Sequence, residues 1–195
     1  MLFTENYRTM KIITIIFFCF ASVFAHCQTI NDLALTNAYT GETVSLSQYN
    51  SSSAIVLVFT SNECPFDNYY KSRLKEMVTA YQGKVQFLLI NSNTDAQESS
   101  EKMAIHNTDL GIPYLADKEQ KAMEAVGARK SPEVFLLKPE SGKYSVQYSG
   151  AIDDNPQVAT DVKQFYLKEA IEKLLNGAKI EVMSNRAVGC TIRKK

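Results

Sequence analysis

The most constraining feature of this sequence is an apolar run that ends just before a cysteine and a proline. Residues 54–60 are AIVLVFT, a segment rich in β-branched residues and free of charge. Such a run is typical of a strand that is covered on both faces. Cys64 and Pro65 follow, and proline is favoured in the first turn of a helix, where its missing N–H costs nothing. The sequence therefore places Cys64 where a buried strand gives way to a helix.

The elements after Cys64 predict a parallel sheet. Residues 66–81 have apolar side chains at helical spacing, Gly83 ends that helix, and residues 84–93 (KVQFLLINSN) form the next buried strand. A strand, a helix and a strand in this order form a right-handed crossover unit. We also predict helices over 96–106, 118–126 and 161–177, and strands over 41–49, 133–138 and 144–150.

These elements predict one α/β domain with a central mixed sheet flanked by helices. The domain spans residues 28–179, and a tail, residues 180–195, carries Cys190. In the last predicted helix, Val162 and Phe165 are among the apolar residues expected to face inward. Glu98, Glu101 and Lys102 are expected to be solvated helix charges, and His106 a surface residue.

The N-terminus predicts export. Lys11 precedes the apolar run IITIIFFCFASVFA, and Val23 and Ala25 are small enough for a signal cleavage site, so residues 1–27 are interpreted as a signal peptide whose true start could be Met10. The run is shorter than the ~20 residues that span a membrane, so no stable span is expected after cleavage. Cleavage after Ala25 and cleavage after Cys27 are both open.

Composition excludes several classes of function. Lys and Arg number 21, as do Asp and Glu, so the chain has no excess of basic charge for nucleic acid. With Cys19 in the signal and Cys27 uncertain, the mature domain keeps Cys64, Cys190 and at most two histidines, too few for a metal site. Two thiols in an oxidising compartment are instead candidates for a bond. No organic cofactor or metal is required if sulfur carries the electrons.

Six short motifs resemble those of a thioredoxin-like redoxin family, the AhpC/TSA-like exported proteins. They are Cys64-Pro65, Ile90-Asn91-Ser92-Asn93, Pro113-Tyr114-Leu115, Pro132-Glu133-Val134-Phe135, Gly150-Ala151-Ile152-Asp153-Asp154-Asn155 and Gly189-Cys190-Thr191-Ile192. The resemblance implies a thioredoxin fold. It further implies a cis proline at Pro132, peptide docking at Ser131, and Pro65 beside the substrate.

One departure from this family matters most. The family usually has a cysteine at the position of Ser61, so the ordinary dithiol cycle cannot run within this motif. Cys64 remains a candidate nucleophile, because the start of a helix favours a thiolate, although Glu63 opposes it. Cys190 is a candidate resolving thiol. A Cys64–Cys190 bond would close 126 residues and stabilise the fold by roughly 4–5 kcal/mol in the chain-entropy model.

The sequence leaves three functions open. The first is thiol–disulfide exchange on a protein or small thiol by an exported monomer that uses Cys64 and Cys190. The second is a thiol peroxidase in which Ser61 hydrogen-bonds the Cys64 thiolate or a bound peroxide, with Arg129 or Lys130 nearby. The third is a redox-inactive module that docks peptides at Ser131 and Pro132. In all three, the Cys64 sulfur is expected at the accessible rim of the sheet, facing the Ser131–Pro132 peptide.

Overall fold

A mixed eight-stranded sheet forms the centre of the molecule. The structure, a computed structural model, describes residues 28–106 and 108–195. The sheet strands are β1 (Thr29–Ile30), β2 (Ala34–Asn37), β3 (Thr43–Ser45), β4 (Ala54–Phe59), β5 (Val85–Asn91), β6 (Tyr114–Ala116), β8 (Glu133–Glu140) and β9 (Lys143–Gly150), in the order β1-β9-β8-β4-β5-β6-β2-β3. Strands β7 (Lys130–Ser131) and β10 (Cys190–Thr191) form a separate two-stranded sheet.

In the part of the chain that the structure describes, four α-helices pack around the sheet. They are α1 (Pro65–Ala80), α2 (Ser100–Ile105), α3 (Lys121–Val126) and α4 (Tyr166–Leu175), and 3₁₀ turns occupy Leu46–Tyr49, Ala96–Glu98 and Ala159–Asp161. Strand β4 pairs in parallel with β5, and β5 with β6, whereas the other pairs are antiparallel. The predicted crossover and hairpin are therefore present.

The two faces of β4 build two apolar cores. Every residue of β4 has 0% exposure, as expected for a strand covered on both sides. Val56 and Val58 pack with helices α1, α2 and α4, whereas Ile55 and Leu57 pack with α3. Ile192 of the C-terminal tail joins the second core and is 4% exposed. The tail therefore belongs to the packed domain rather than hanging from it.

Hydrogen bonds between side chains and the backbone accompany a later start of two predicted helices. Helix α3 starts at Lys121 rather than 118, because the Asp117 carboxylate accepts the backbone N–H groups of Ala122 and Met123. Helix α4 starts at Tyr166 rather than 161. The Asp154 carboxylate accepts the Lys163 N–H at 2.9 Å and the Asp154 N–H bonds the Gln164 carbonyl, which hold that segment outside the helix.

Three further predictions about elements are corrected. The inward orientation of Phe165 is wrong: it precedes α4 and is 45% exposed, and Val162 is only partly buried. The predicted strand 41–49 is strand only over β3, and the predicted helix 96–106 breaks at Ser99, whose side chain caps α2. Strands β1 and β2 lacked a sequence signal strong enough to predict them.

The predicted signal peptide, residues 1–27 with Met10, Cys19 and Cys27, lies outside the described residues. Among the helices of residues 28–106 and 108–195, none has the length and apolar composition to cross a membrane.

The tail folds back across the end of β9. The Ser149 N–H bonds the Met183 carbonyl, and the Asn185 N–H bonds the Ser149 carbonyl, both at 3.0 Å. Gly150 has φ +122°, and a Cβ atom there would lie 1.7 Å from the Asn185 carbonyl oxygen. A glycine is therefore required both by the backbone conformation and by the contact with the tail.

We expect Gly150→Ala to lower the free energy of unfolding by about 2 kcal/mol or more, since it adds a backbone clash to an unfavourable φ. Gly177→Ala is the matched control, because Gly177 has φ +66° and a Cβ atom there would meet nothing within 4 Å. Urea unfolding of both variants measures the difference. Equal costs would contradict the role of the tail contact.

Candidate redox site at the start of helix α1

Cys64 is the residue that caps the start of α1, and it is joined to Cys190. Its backbone is extended, with φ −81° and ψ 120°, and Pro65 occupies the first turn as predicted. The two cysteines form a disulfide with a Cα–Cα distance of 5.9 Å. The Cys64 sulfur also lies 3.1 Å from the Ser131 carbonyl oxygen. Because a disulfide sulfur carries no proton, this approach is a contact and not a hydrogen bond.

The Ser131–Pro132 peptide faces this disulfide and is cis, as the resemblance implies. Ser131 pairs antiparallel with Cys190, and Lys130 with Thr191. Gly189 permits this approach, because a Cβ atom there would lie 2.2 Å from the Ser131 carbonyl oxygen. The place where the resemblance implies peptide docking is thus occupied by the tail of the same chain.

The two cysteine residues differ in their exposure to solvent. Cys64 is 2% exposed, whereas Cys190 is half-buried. Both line a cleft of about 380 Å³ that Ser61, Glu63, Asp95 and Arg193 also border. The expected neighbourhood of Cys64 is present, but its expected accessibility is wrong for this oxidised state. Ser131 and Pro132 are buried, whereas Pro65 is exposed.

Ser61 bonds to a buried carboxylate rather than to Cys64. Its hydroxyl donates to Glu98, whose other acceptor positions take the Asn62 N–H at 2.9 Å and the Glu63 N–H at 3.2 Å. Glu98 is 3% exposed, so its prediction as a solvated charge is wrong. The break at Ser99 turns the Glu98 side chain inward. Burial opposes its ionisation, but these hydrogen bonds outweigh burial and lower the pKa of Glu98 below its usual value.

A polar network connects Glu98, which binds the loop of residues 61–63, to β5 and β6. The Asn91 amide donates to Glu98 at 2.6 Å and to the Tyr114 hydroxyl at 2.8 Å. The Lys118 ammonium donates to the Asn91 and Asn93 carbonyls, and burial lowers the pKa of Lys118 to about 8. Every one of these groups lies at the carboxyl end of β5 or beside it. Through Glu98, the network therefore holds the backbone of residues 61–63 against the end of β5.

Asp67 links α1 to the Ser131–Pro132 peptide. Its carboxylate accepts the Thr60 hydroxyl at 2.7 Å and the Ser131 hydroxyl at 2.6 Å. Burial raises the pKa of Asp67 to about 7, although these two hydrogen bonds oppose the rise. The side chain therefore carries only part of its charge near neutral pH.

The loop that contains Asp153 is held by α1. Arg73 pairs with Asp153 at 2.5 Å and donates to the Asn155 carbonyl, while the Tyr70 hydroxyl donates to Asp153 at 3.0 Å. Asp153 is 4% exposed. A buried ion pair therefore anchors this loop and gives Asp153 a structural contact to α1.

The sequence interpretation missed Asp67, Glu98 and Asn91. Asp67 had a usable signal, since an acidic residue three positions after a helix cap often interacts with that helix start. Asn91 belongs to one of the family motifs, but its contact had no sequence signal, since Glu98 meets Ser61 and Asn91 meets Glu98 only through the fold. Of the other predicted neighbours, Arg129 is exposed and its N–H bonds Glu133. Within the described residues, no cluster of three or more histidine, cysteine or acidic residues could hold a metal.

Solved structures share this architecture. A hypothetical protein from Sinorhizobium meliloti 1021 is 28% identical with a TM-score of 0.74, covering 85% of this chain and 94% of that one. An uncharacterised conserved protein from Geobacillus kaustophilus is 27% identical, with a TM-score of 0.75. The match covers 85% of this chain and 92% of that protein. A secreted disulfide oxidoreductase of Mycobacterium tuberculosis is 16% identical with a TM-score of 0.52, covering 72% and 94%. That last likeness shows the fold alone.

The fold is therefore thioredoxin-like, and the protein is of the redoxin class. The AhpC/TSA family profile matches residues 27–160, and the chain belongs to that family. No curated protein matches the chain.

The raised pKa of Asp67 predicts a pH-dependent stability. The folded protein binds a proton here that the unfolded chain releases near pH 4, so this contribution to stability falls as pH rises from about 4 through about 7. Asp67→Asn lacks this titration. We expect the unfolding free energy of the oxidised wild type, minus that of Asp67→Asn, to decrease over this range in urea titrations. A difference that stays flat or rises would contradict the assignment.

The donors around Glu98 predict a large cost for its removal. Glu98→Ala removes the acceptor of the Ser61 hydroxyl and of the Asn62 N–H, and it leaves the Glu63 N–H only the Ser61 oxygen, so we expect about 2–4 kcal/mol lower stability. Glu101→Ala is the control, because Glu101 is an exposed residue of the neighbouring helix and should change stability by less than about 0.5 kcal/mol. Thermal and urea unfolding measure both. Similar small effects would refute the buried role of Glu98.

Proposed function

We propose that this protein is an exported thiol–disulfide oxidoreductase whose redox couple is Cys64 with Cys190. The observation that carries the proposal is the disulfide between the start of α1 and the tail, seated against the cis Ser131–Pro132 peptide and bordering an open cleft. A purely structural crosslink does not need a cleft beside its sulfurs. Exchange does, because a thiolate must reach one sulfur of the bond.

Burial supports an order of roles opposite to the one expected from the sequence. Cys190 is the more accessible residue, and Cys64 is covered by the tail. An incoming thiolate forms a bond to the Cys190 sulfur, the Cys64–Cys190 bond breaks, and Cys64 leaves as a thiolate. A second thiolate then attacks the substrate sulfur, which yields the substrate disulfide and frees the Cys190 thiolate. Two electrons have passed from two thiols to the protein, and the reverse sequence oxidises the protein's thiols.

The surroundings of Cys64 suit a leaving thiolate. It lies at the N-terminal end of a 16-residue helix, where unpaired N–H groups and the helix dipole favour negative charge. The nearby Asp67 opposes this charge less than an ordinary carboxylate would, because its pKa of about 7 leaves it partly protonated at neutral pH. These two effects support Cys64 as the sulfur that leaves first and resolves later.

The position of Ser61 does not favour the peroxidase alternative. A peroxidatic serine would direct its hydroxyl to the cysteine sulfur or the peroxide. Here the hydroxyl donates to Glu98, whose lowered pKa keeps it an acceptor. A thiolate at position 61 would also be repelled by that carboxylate, which gives a physical reason for serine at this position.

Three features support export. The N-terminal 27 residues have the pattern of a secretory signal. A disulfide of this kind persists in oxidising compartments and is rare in the cytosol. A protein of the same fold from Mycobacterium tuberculosis is secreted. Mass spectrometry of the protein from cell fractions, with its mature N-terminus, tests this part of the proposal.

Single-cysteine variants test the exchange and the order of roles. We expect Cys64→Ser to accumulate a mixed disulfide on Cys190 when it is incubated with a small-molecule disulfide, because the resolving thiol is gone. Cys190→Ser should form its adduct on Cys64 more slowly, since Cys64 is buried. Intact-mass spectrometry measures both rates, and the variant with both cysteines replaced is the blank. Slow or absent adducts in both variants would favour a redox-inactive binding module, and faster adduct formation on Cys64 would reverse the roles.

A further inference from the structure

The tail occupies the exposed edge of β7 as a docked strand. Cys190 and Thr191 pair with Ser131 and Lys130, and the Ile192 N–H bonds the Arg129 carbonyl at 2.9 Å. An extended peptide from another protein would need the same backbone groups. The tail and such a peptide therefore exclude each other.

Gln120 binds the tail through two side-chain hydrogen bonds that do not involve the disulfide. It is 3% exposed and has φ +59°, a left-handed conformation that is uncommon for a residue other than glycine. Its side-chain amide donates to the Arg193 carbonyl at 2.7 Å, and its side-chain oxygen accepts the Lys195 N–H at 2.9 Å. A buried side chain thus binds the main chain of the tail at two positions beyond Cys190.

Apolar burial and backbone pairing hold the tail on both sides of Cys190. Ile192 is 4% exposed within the core above α3, and Ala187 is 5% exposed. Upstream, Asn185 pairs with Ser149. None of these contacts passes through the sulfur–sulfur bond, so we expect the tail to stay on the β7 edge after reduction.

The open approach to the disulfide is the cleft, not the strand edge. The cleft has a volume of about 380 Å³, and Cys190, Ser61, Asp95 and Arg193 line it. This volume lies in the range of small-molecule pockets. Cys64 lines the cleft too, but Cys190 is the more exposed of the two cysteines, and a small thiol that enters the cleft reaches the disulfide without displacing any strand.

Resting on the exchange function above, we propose that the substrate is a low-molecular-weight thiol that enters this cleft, because Gln120 keeps the β7 edge closed to peptide partners in both redox states. Gln120 is a positioning residue. The reaction is the exchange already written, with both electrons supplied by two molecules of the small thiol, which leave as its disulfide.

Two thiols of matched chemistry test this proposal. One is N-acetylcysteinamide, and the other is a blocked peptide with the tail sequence Gly189 to Ile192, which carries the same type of thiol on a segment able to pair with β7. We measure the rate at which each reduces the oxidised protein. We expect the peptide to be no faster than the small thiol with the wild type, since its pairing edge is filled.

Gln120→Ala should open the edge. We expect it to raise the peptide's rate about fivefold or more and to leave the small thiol's rate within about twofold, because two of the tail's hydrogen bonds are lost. Tyr144→Phe is the control, since it removes a buried side chain's hydrogen bond to Asn50 rather than to the tail. If Gln120→Ala does not fold, Ile192→Ala removes the apolar anchor and should give the same selective increase.

Amide hydrogen exchange gives a second readout, which does not require thiol–disulfide exchange activity. In Cys190→Ser, the amides of Ile192 and Lys195 should stay protected, and Gln120→Ala should remove the protection of Lys195. Three outcomes would each overturn the proposal. The peptide could reduce the wild type several-fold faster than the small thiol does, or Gln120→Ala could change the rates of both thiols equally. The third outcome is that Cys190→Ser loses the protection of both the Ile192 and the Lys195 amides. If neither thiol reduces the protein, the proposed thiol–disulfide exchange function is also overturned. In that case, retained amide protection would show that the tail is still docked and that only the redox function has failed.

Discussion

The structure of the site depends on the pairing of the C-terminal tail with the edge of β7. Gly189 lets two backbones approach more closely than any side chain would allow, and this approach brings Cys190 beside Cys64. The covalent bond then restricts the unfolded chain over a separation of 126 residues, so its stabilising effect adds to the native contacts of the tail rather than replacing them. The same pairing buries Cys64, leaves Cys190 partly exposed and occupies the edge of β7.

Ser61 and Glu98 give a physical reason why the first cysteine of the redoxin motif is absent here. A dithiol motif needs a thiolate at position 61, which a charged carboxylate nearby would disfavour. Here the carboxylate of Glu98 is the hydrogen-bond acceptor for the 61–63 loop, and a neutral hydroxyl suits it. The loop thus has a structural role, and the second sulfur comes from the tail.

Sequence patterns predicted the elements with strong periodicity and missed those governed by local side chains. The buried run of β4, the crossover through α1 and the β8–β9 hairpin follow from apolar spacing. The starts of α3 and α4 do not, because Asp117 and Asp154 bind backbone N–H groups and interrupt a pattern that looks continuous. Glu98 was misassigned for a similar reason: on a straight helix it would face solvent, and the break at Ser99 turns it inward.

The sequence by itself determined the fold class, the position of Cys64 at a strand-to-helix junction and the family resemblance, since these depend on spacing along the chain. Only the tertiary structure decided which cysteine residue is more exposed, that the tail fills the β7 edge and is held there by Gln120, and that Glu98 and Asp67 support the site. Each of these depends on burial or on groups far apart along the chain, and sequence separation carries no information about distance in space or about solvent access.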